Sequence, residues 1–191
     1  MKNDSLLKLV RNKKTIFSAS DLSLIWEIKD KNYLKTKIYR LVKSKDLFRI
    51  KKGIYSLNKD YDPKELASKL VKPSYVSLQT VLAEEGIVFQ YDSTTYSLGQ
   101  KKFEILIGRQ KYVYYQIKDD ILLNSKGITR KRGYNIASKE RAVCDILYLD
   151  NNFYFDNLDS LDWGLIFKIA EIYQSRNLIS YLKKLRKNYA R

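Results

Sequence analysis

The chain has 191 residues, 45% of them hydrophobic, and a formal net charge of +16. It contains a single cysteine, Cys144, and no histidine, which excludes intrachain disulfides, zinc sites of the Cys/His type and histidine-based acid–base catalysis. The length is sufficient for one large domain or two small ones, and we predict two compact units, 1–59 and 60–191.

The positive charge is concentrated near the start of the chain. Residues 1–60 hold 16 Lys and Arg against 6 Asp and Glu, whereas residues 61–191 hold 21 against 15. Basic segments bind polyanions by releasing counterions, so nucleic acid is the first partner to expect and an anionic membrane surface the second. No segment approaches the about 20 apolar residues that span a bilayer, and Lys8 and Arg11 interrupt any signal-peptide core. We therefore expect a cytoplasmic protein without a membrane partner.

Three short helices are predicted in the first unit. The first covers Ser5–Arg11, and the second begins after a short extended link at a capping serine, Ser18 or Ser20. The third helix starts after residues 30–32. Its apolar side chains recur at the spacing of one inward-facing stripe, formed by Leu34, Ile38, Leu41 and Val42.

The opposite side of the third helix carries the side chains predicted to contact DNA. They are Tyr33, Lys35, Thr36, Lys37, Tyr39, Arg40 and Lys43. Arg40 can make a bidentate contact with guanine, Thr36 can reach a base edge, and the lysines and tyrosines can hold phosphates. By itself, an ordinary solvated helix face explains this pattern equally well.

A basic hairpin follows and favours the DNA interpretation. Residues 47–50 and 54–57 flank the turn Lys51-Lys52-Gly53, in which Gly53 can supply a positive φ. Lys51 and Lys52 are predicted to touch the DNA backbone. Three helices followed by a cationic hairpin predict a winged helix-turn-helix DNA-binding domain over residues 1–59.

The second unit is predicted to be α+β, with a mixed or antiparallel sheet and a helical C-terminal tail. The predicted helices cover residues 64–71, 78–85, about 139–148 and, in one or two pieces, 161–189. The predicted strands cover residues 87–90, 95–98, 103–107 and 113–117. Residues 127–133 are predicted to form a basic loop.

Several side chains of the second unit have predicted structural roles. Ser77 and Ser138 are expected to cap the helices that follow them, and Gly86 to close the first of these helices. Arg141 and Asp145, four residues apart, are expected to pair on a helix surface. Cys144 is interpreted as a small buried thiol rather than a nucleophile.

Two basic segments allow two interpretations each. The loop at 126–133 and the tail at 183–191 each suit either a solvated surface or a contact with DNA phosphates or an acidic partner.

An enzymatic function is not expected, and neither a cofactor nor a metal is predicted. The best metal-binding candidates, Asp92 and Glu104, lack the lysine two residues further on that a metal-dependent nuclease would need. The sequence contains no Walker-type phosphate loop and no Gly-rich dinucleotide fingerprint.

Three segments in this order, LFRIKKGIYSL, PSYVSLQTVLAEEGI and GYNIASKERAVCDILYL, resemble the AbiEi family of type IV toxin-antitoxin antitoxins. The resemblance covers roughly residues 5–150. It implies an N-terminal winged-helix domain joined to a C-terminal antitoxin domain, in a protein of phage defence. It further implies repression of its own operon through operator repeats in double-stranded DNA, and opposition to a cognate nucleotidyltransferase-like toxin, with or without direct contact. A plain winged-helix regulator and a protein-interaction module without antitoxin activity are the alternatives.

Overall fold

The computed structural model describes residues 2–90 and 92–189. The N-terminal unit, residues 2–58, contains the three predicted helices and the hairpin in the predicted order. Its elements are α1 (Lys2–Arg11), β1 (Ile16–Ser18), α2 (Ala19–Ile25), α3 (Lys31–Lys43), β2 (Phe48–Lys51) and β3 (Ile54–Ser56). The predicted extended link is strand β1, which joins the hairpin to give an antiparallel sheet of order β1-β3-β2.

Side-chain caps fix where α2 and α3 begin. Ser18 and Asp21 form a capping box at the start of α2, in which each side chain accepts a hydrogen bond from the other's backbone N–H. At the start of α3, the carboxylate of Asp30 accepts a hydrogen bond from the backbone N–H of Tyr33 at 2.6 Å. Ile38 and Leu41 of α3 are buried and Leu34 and Val42 partly buried, which confirms the predicted inward stripe.

The C-terminal unit, residues 62–189, is α+β, as predicted. Its first half contains α4 (Pro63–Leu70), β4 (Ser74–Val76), α5 (Gln79–Glu84), β5 (Thr95–Gly99), β6 (Phe103–Ile107) and β7 (Gln110–Gln116). Its second half contains α6 (Asp119–Leu122), β8 (Ile128–Lys131), β9 (Tyr134–Ala137), α7 (Lys139–Leu149), α8 (Trp163–Ala170), a 3₁₀ turn (Glu171–Tyr173) and α9 (Arg176–Tyr189). The six strands form one mixed sheet of order β6-β7-β5-β4-β9-β8, in which the β4–β9 and β5–β7 pairs are parallel.

One strand prediction and one loop prediction were wrong. Residues 87–90 do not form a strand; the carbonyl oxygen of Ile87 instead accepts hydrogen bonds from the backbone N–H groups of Asp156 and Asn157. The apolar side chains of Ile87 and Val88 are buried beneath this connection. The predicted basic loop at 127–133 contains strand β8, an exposed edge strand whose charged side chains conceal any apolar alternation.

The predicted cap at Ser77 was also wrong. The N-cap position of α5 is Leu78, which makes no side-chain capping hydrogen bond. Ser77 lies in the core, where its hydroxyl donates to Asp145 at 2.6 Å. Gly86, with φ of 67°, closes the α5 region as predicted, and Ser138 caps α7 by accepting from the N–H of Arg141.

The two units are tied together by buried polar contacts. Glu65 of α4 is buried, and its carboxylate accepts hydrogen bonds from the backbone N–H groups of Thr15 and Ile16 at 3.0 Å and from the Thr15 hydroxyl at 2.6 Å. Lys69, also in α4, donates to Asp21 at 2.7 Å. Burial opposes the ionisation of Asp21, but the hydrogen bonds from Lys69 and Ser18 outweigh it and lower the pKa of Asp21 to about 2.

We predict that Glu65→Ala destabilises the whole chain, because it leaves two backbone N–H groups without acceptors at the junction. The free energy of unfolding, measured by urea denaturation, should fall by about 3 kcal/mol. Glu85→Ala removes an exposed carboxylate and is the matched control, with an expected change within about 0.5 kcal/mol. Equal effects of the two substitutions would contradict a junction held by Glu65.

Candidate nucleic-acid interface

The outer face of α3 is solvent-exposed where DNA contacts are predicted. Tyr33 and Tyr39 expose 49% and 64% of their surface. The polar members of this face, Lys35, Thr36, Arg40 and Lys43, are exposed as well. The helix thus presents aromatic and cationic side chains together.

Lys37 differs from the other predicted contacts. It is only half-exposed, and its ammonium nitrogen lies 4.5 Å from the centre of the Trp26 ring. Burial lowers the pKa of Lys37, the nearby charge of Lys8 lowers it further, and Asp4 opposes these effects. Lys37 therefore lies on the α1 side of α3, at the margin of the outer face.

The hairpin turn presents the other two predicted contacts. Lys51 and Lys52 are exposed, and Gly53 adopts the expected positive φ of 82°. The carbonyl oxygen of Gly53 accepts a hydrogen bond from the N–H of Ala19 at 2.9 Å, which fixes the turn against the start of α2. A register shift between Arg49 and Lys51 marks a bulge just before the turn.

The cations of α3 and the hairpin turn are not neutralised within the protein. Across residues 2–90 and 92–189, no ion pair involves Lys35, Arg40, Lys43, Lys51 or Lys52. An exposed set of unpaired cations with interspersed tyrosines has the chemistry required to hold phosphates.

The two ambiguous basic segments are both on the surface. Arg130, Lys131 and Arg132 are exposed on β8 and the turn after it. On α9, Leu178 and Leu182 pack into the core while the lysines and arginines of residues 183–187 face outward. Arg191 lies outside the described residues.

A second polar cluster, centred on Arg141 and Asp145 of α7, is buried. The expected surface pairing of these residues was wrong: both side chains are 0% exposed, with Arg141 Nε 3.3 Å from Asp145 Oδ1. The reason is that α7 is buried on almost every side: residues 140–147 are all buried, so a pair on this helix lies in the core. The clustered apolar residues around Cys144 were a signal of such burial.

Hydrogen bonds compensate the buried charges. Asp145 accepts from the hydroxyls of Tyr75, Ser77 and Tyr173, and Arg141 donates to Tyr75 and to the carbonyl oxygens of residues 121 and 126. Burial raises the pKa of Asp145, whereas the Arg141 charge and the three hydroxyls oppose that rise. Both charges of this cluster are buried, and its hydrogen bonds join β4, α7 and the 3₁₀ turn.

The remaining candidates for chemistry have local partners. Burial raises the pKa of the Cys144 thiol, as suits the predicted buried, unreactive cysteine. Asp92 accepts a hydrogen bond from the Tyr96 hydroxyl, and Glu104 pairs with Lys111 at 2.8 Å. Among the described residues, His, Cys, Asp and Glu form no group of three or more that could hold a metal ion.

Comparisons with known proteins add no family assignment. No protein-family model matches the chain, and comparison with curated proteins gives no match. In the described part of the chain, no helix combines the length and apolar character needed to cross a lipid bilayer.

We predict that Arg141→Met lowers the free energy of unfolding by about 3–5 kcal/mol, because the Asp145 carboxylate stays buried without its counter-charge. Replacing both residues, Arg141→Met with Asp145→Leu, should cost less than the sum of the single changes. Glu104→Gln, which breaks the exposed pair with Lys111, is the control and should cost at most about 1 kcal/mol. Chemical denaturation measures the free energy of unfolding of the unaltered chain, of Arg141→Met and Asp145→Leu singly, of the double variant and of Glu104→Gln. If the losses of the two single variants simply add up to that of the double variant, a coupled buried pair is contradicted.

Proposed function

We propose that the N-terminal unit is a winged helix-turn-helix that binds operator DNA and represses the operon of this protein. The observation that carries the proposal is the unpaired cationic face of α3 in the same small unit as a cationic hairpin turn held against α2. Two neighbouring surfaces of the same charge suit a major groove and the adjacent backbone of one duplex.

In this proposal, α3 enters the major groove with its exposed face. Arg40, with its planar fork of donors, is the residue suited to read guanine, and Thr36 can contact a base edge. Tyr33, Tyr39, Lys35 and Lys43 would hold phosphates on either side. Lys51 and Lys52 would touch the backbone beside the groove, where they add affinity without reading sequence.

We predict that Arg40→Ala weakens binding to the DNA upstream of its own operon by about 1–3 kcal/mol. Binding to random duplex should change much less, because a phosphate contact is common to all sequences and a base contact is not. A gel-shift titration on both duplexes at several salt concentrations measures this. Lys184→Ala, an exposed cation on α9, is the matched control. Equal affinity of the unaltered protein for the operator and for random duplex would contradict an operator-specific repressor.

The proposed second activity is that of an antitoxin opposing a nucleotidyltransferase-like toxin. Its support is the resemblance of three segments to the AbiEi family. The second and third of these segments contact each other in the fold, because Val76 of β4 pairs with Ile136 of β9 and Ser77 donates to Asp145. These two segments, although separate in the sequence, therefore form one packed region of the C-terminal unit.

We expect a gene for a nucleotidyltransferase-like protein beside the gene for this chain, and co-expression of this chain should restore the growth that the neighbour arrests. The full-length double variant Arg40→Ala with Lys52→Ala, expressed from an unrelated promoter, should still rescue growth if neutralisation does not depend on operator binding. This comparison avoids deleting residues 1–60, which would expose the surface around Glu65. Failure of the unaltered chain to rescue growth would leave a plain regulator or an interaction module.

A further inference from the structure

A groove of about 610 Å³ lies between α1 and α3. Three cations line it, Lys8, Lys37 and Arg40, together with the aromatic side chains of Trp26 and Tyr33. Asp4 is the acidic residue of its lining. The volume lies in the range of small-molecule sites, about 300–1,000 Å³.

The positive charge in this groove exceeds the negative charge. Three cations face one carboxylate, and no ion pair within the described residues involves any of the three. Burial lowers the pKa of Lys37, and Lys8 lies close enough that its charge lowers that pKa further. Like charges held together at a concave surface attract an anion, since its binding removes their mutual repulsion.

The aromatic side chains of the groove are held in place. Trp26 is 6% exposed, and its indole N–H donates to the carbonyl oxygen of Ser5 at 3.0 Å, so the ring orientation is fixed between α1 and α3. Tyr33, at the start of α3, is half-exposed and forms a wall. Such surfaces bind flat rings by stacking and edge contacts.

We infer that this groove binds a small aromatic anion, meaning a ring system that carries a phosphate or a carboxylate. The anionic group lies among Lys8, Lys37 and Arg40, and the ring packs against Tyr33, beside the largely buried Trp26. Asp4 accepts a hydrogen bond from a donor on the ring. The sugars and phosphates of a DNA backbone have no flat apolar surface. They would therefore make fewer contacts with the aromatic residues of this groove than an aromatic ring would.

Ligand binding has a consequence for DNA that rests on the proposed function. Tyr33, Lys37 and Arg40 line the groove and also belong to the predicted DNA contacts. A ligand that draws these side chains into the groove removes them from the duplex. Ligand and operator therefore compete, and the ligand acts as an inducer.

Fluorescence of the full-length chain tests the binding step without DNA. In a Trp163→Phe background, Trp26 is the remaining tryptophan, so its emission reports on the groove. The probes are adenosine monophosphate and benzoate, which distinguish an aromatic phosphate from an aromatic carboxylate. Adenosine and inorganic phosphate supply the ring and the anion alone. Saturable quenching by at least one aromatic anion, at lower concentration than by either half, is the expected result.

Lys8→Gln and Lys43→Gln form the matched pair of variants. Lys8 lines the groove and is not a predicted DNA contact, whereas Lys43 is a predicted DNA contact outside the groove. Lys8→Gln should weaken the aromatic anion by about tenfold, the loss of one charge-assisted hydrogen bond, and Lys43→Gln should leave it unchanged. Thermal unfolding of both variants verifies that each is folded.

Three results would overturn the inference: no quenching by either aromatic anion, inorganic phosphate binding as tightly as both, or equal weakening by the two variants. Displacement of operator DNA by the ligand is measured separately in a gel shift. Saturable binding without displacement would leave the ligand site standing and remove only its link to repression.

Discussion

The buried carboxylate of Glu65 determines how the two parts of this molecule fit together. It accepts hydrogen bonds from Thr15 and Ile16 at the start of β1, and a Cβ added at Gly133 would lie 2.7 Å from it, so the β8–β9 turn closes over the same group. Gly133 also has φ of 86°, which other residues rarely adopt. A buried charge is tolerated only with its hydrogen bonds in place, so these three elements keep one arrangement. The position of α3 relative to the C-terminal sheet follows from it.

The cluster around Arg141 and Asp145 has the same role inside the C-terminal unit. It joins β4, α7 and the 3₁₀ turn, which are far apart in sequence, through Tyr75, Ser77 and Tyr173. Tyr75, Ser77, Arg141 and Asp145 lie in two segments that are separate in the sequence, 73–87 and 133–149. Together these segments specify a packed core.

Periodicity predicted the local structure of the N-terminal unit well, because α3 has one apolar stripe, Ser18 has a short-range partner, and Gly53 meets a turn requirement. The cap at Asp30, which starts α3 at Lys31, was not predicted. Long-range pairing was not visible. Ser77 resembles a helix cap but its hydroxyl is taken by Asp145, 68 residues away. The apolar run at 87–90 lacks a neighbouring strand, and β8 is a strand only because β9 pairs with it. The groove beside α3 also escaped prediction, since it depends on how α1 packs against Trp26.

The uncompensated charge of α3 has a structural cause. Three of the five carboxylates in residues 2–58 are engaged at helix ends or at the junction: Asp21 in the capping box and the pair with Lys69, Asp30 in the cap of α3, and Asp46 with the Ser44 hydroxyl. Folding thus uses these negative charges for helix ends and for the junction, and leaves the lysines and arginines of α3 and the hairpin turn to repel one another. Binding of a polyanion removes that repulsion. Lys37 is also without an ion-pair partner among the described residues. It lies over Trp26, at the margin between the outer face of α3 and the groove, so its ammonium group can bind an anion at either place.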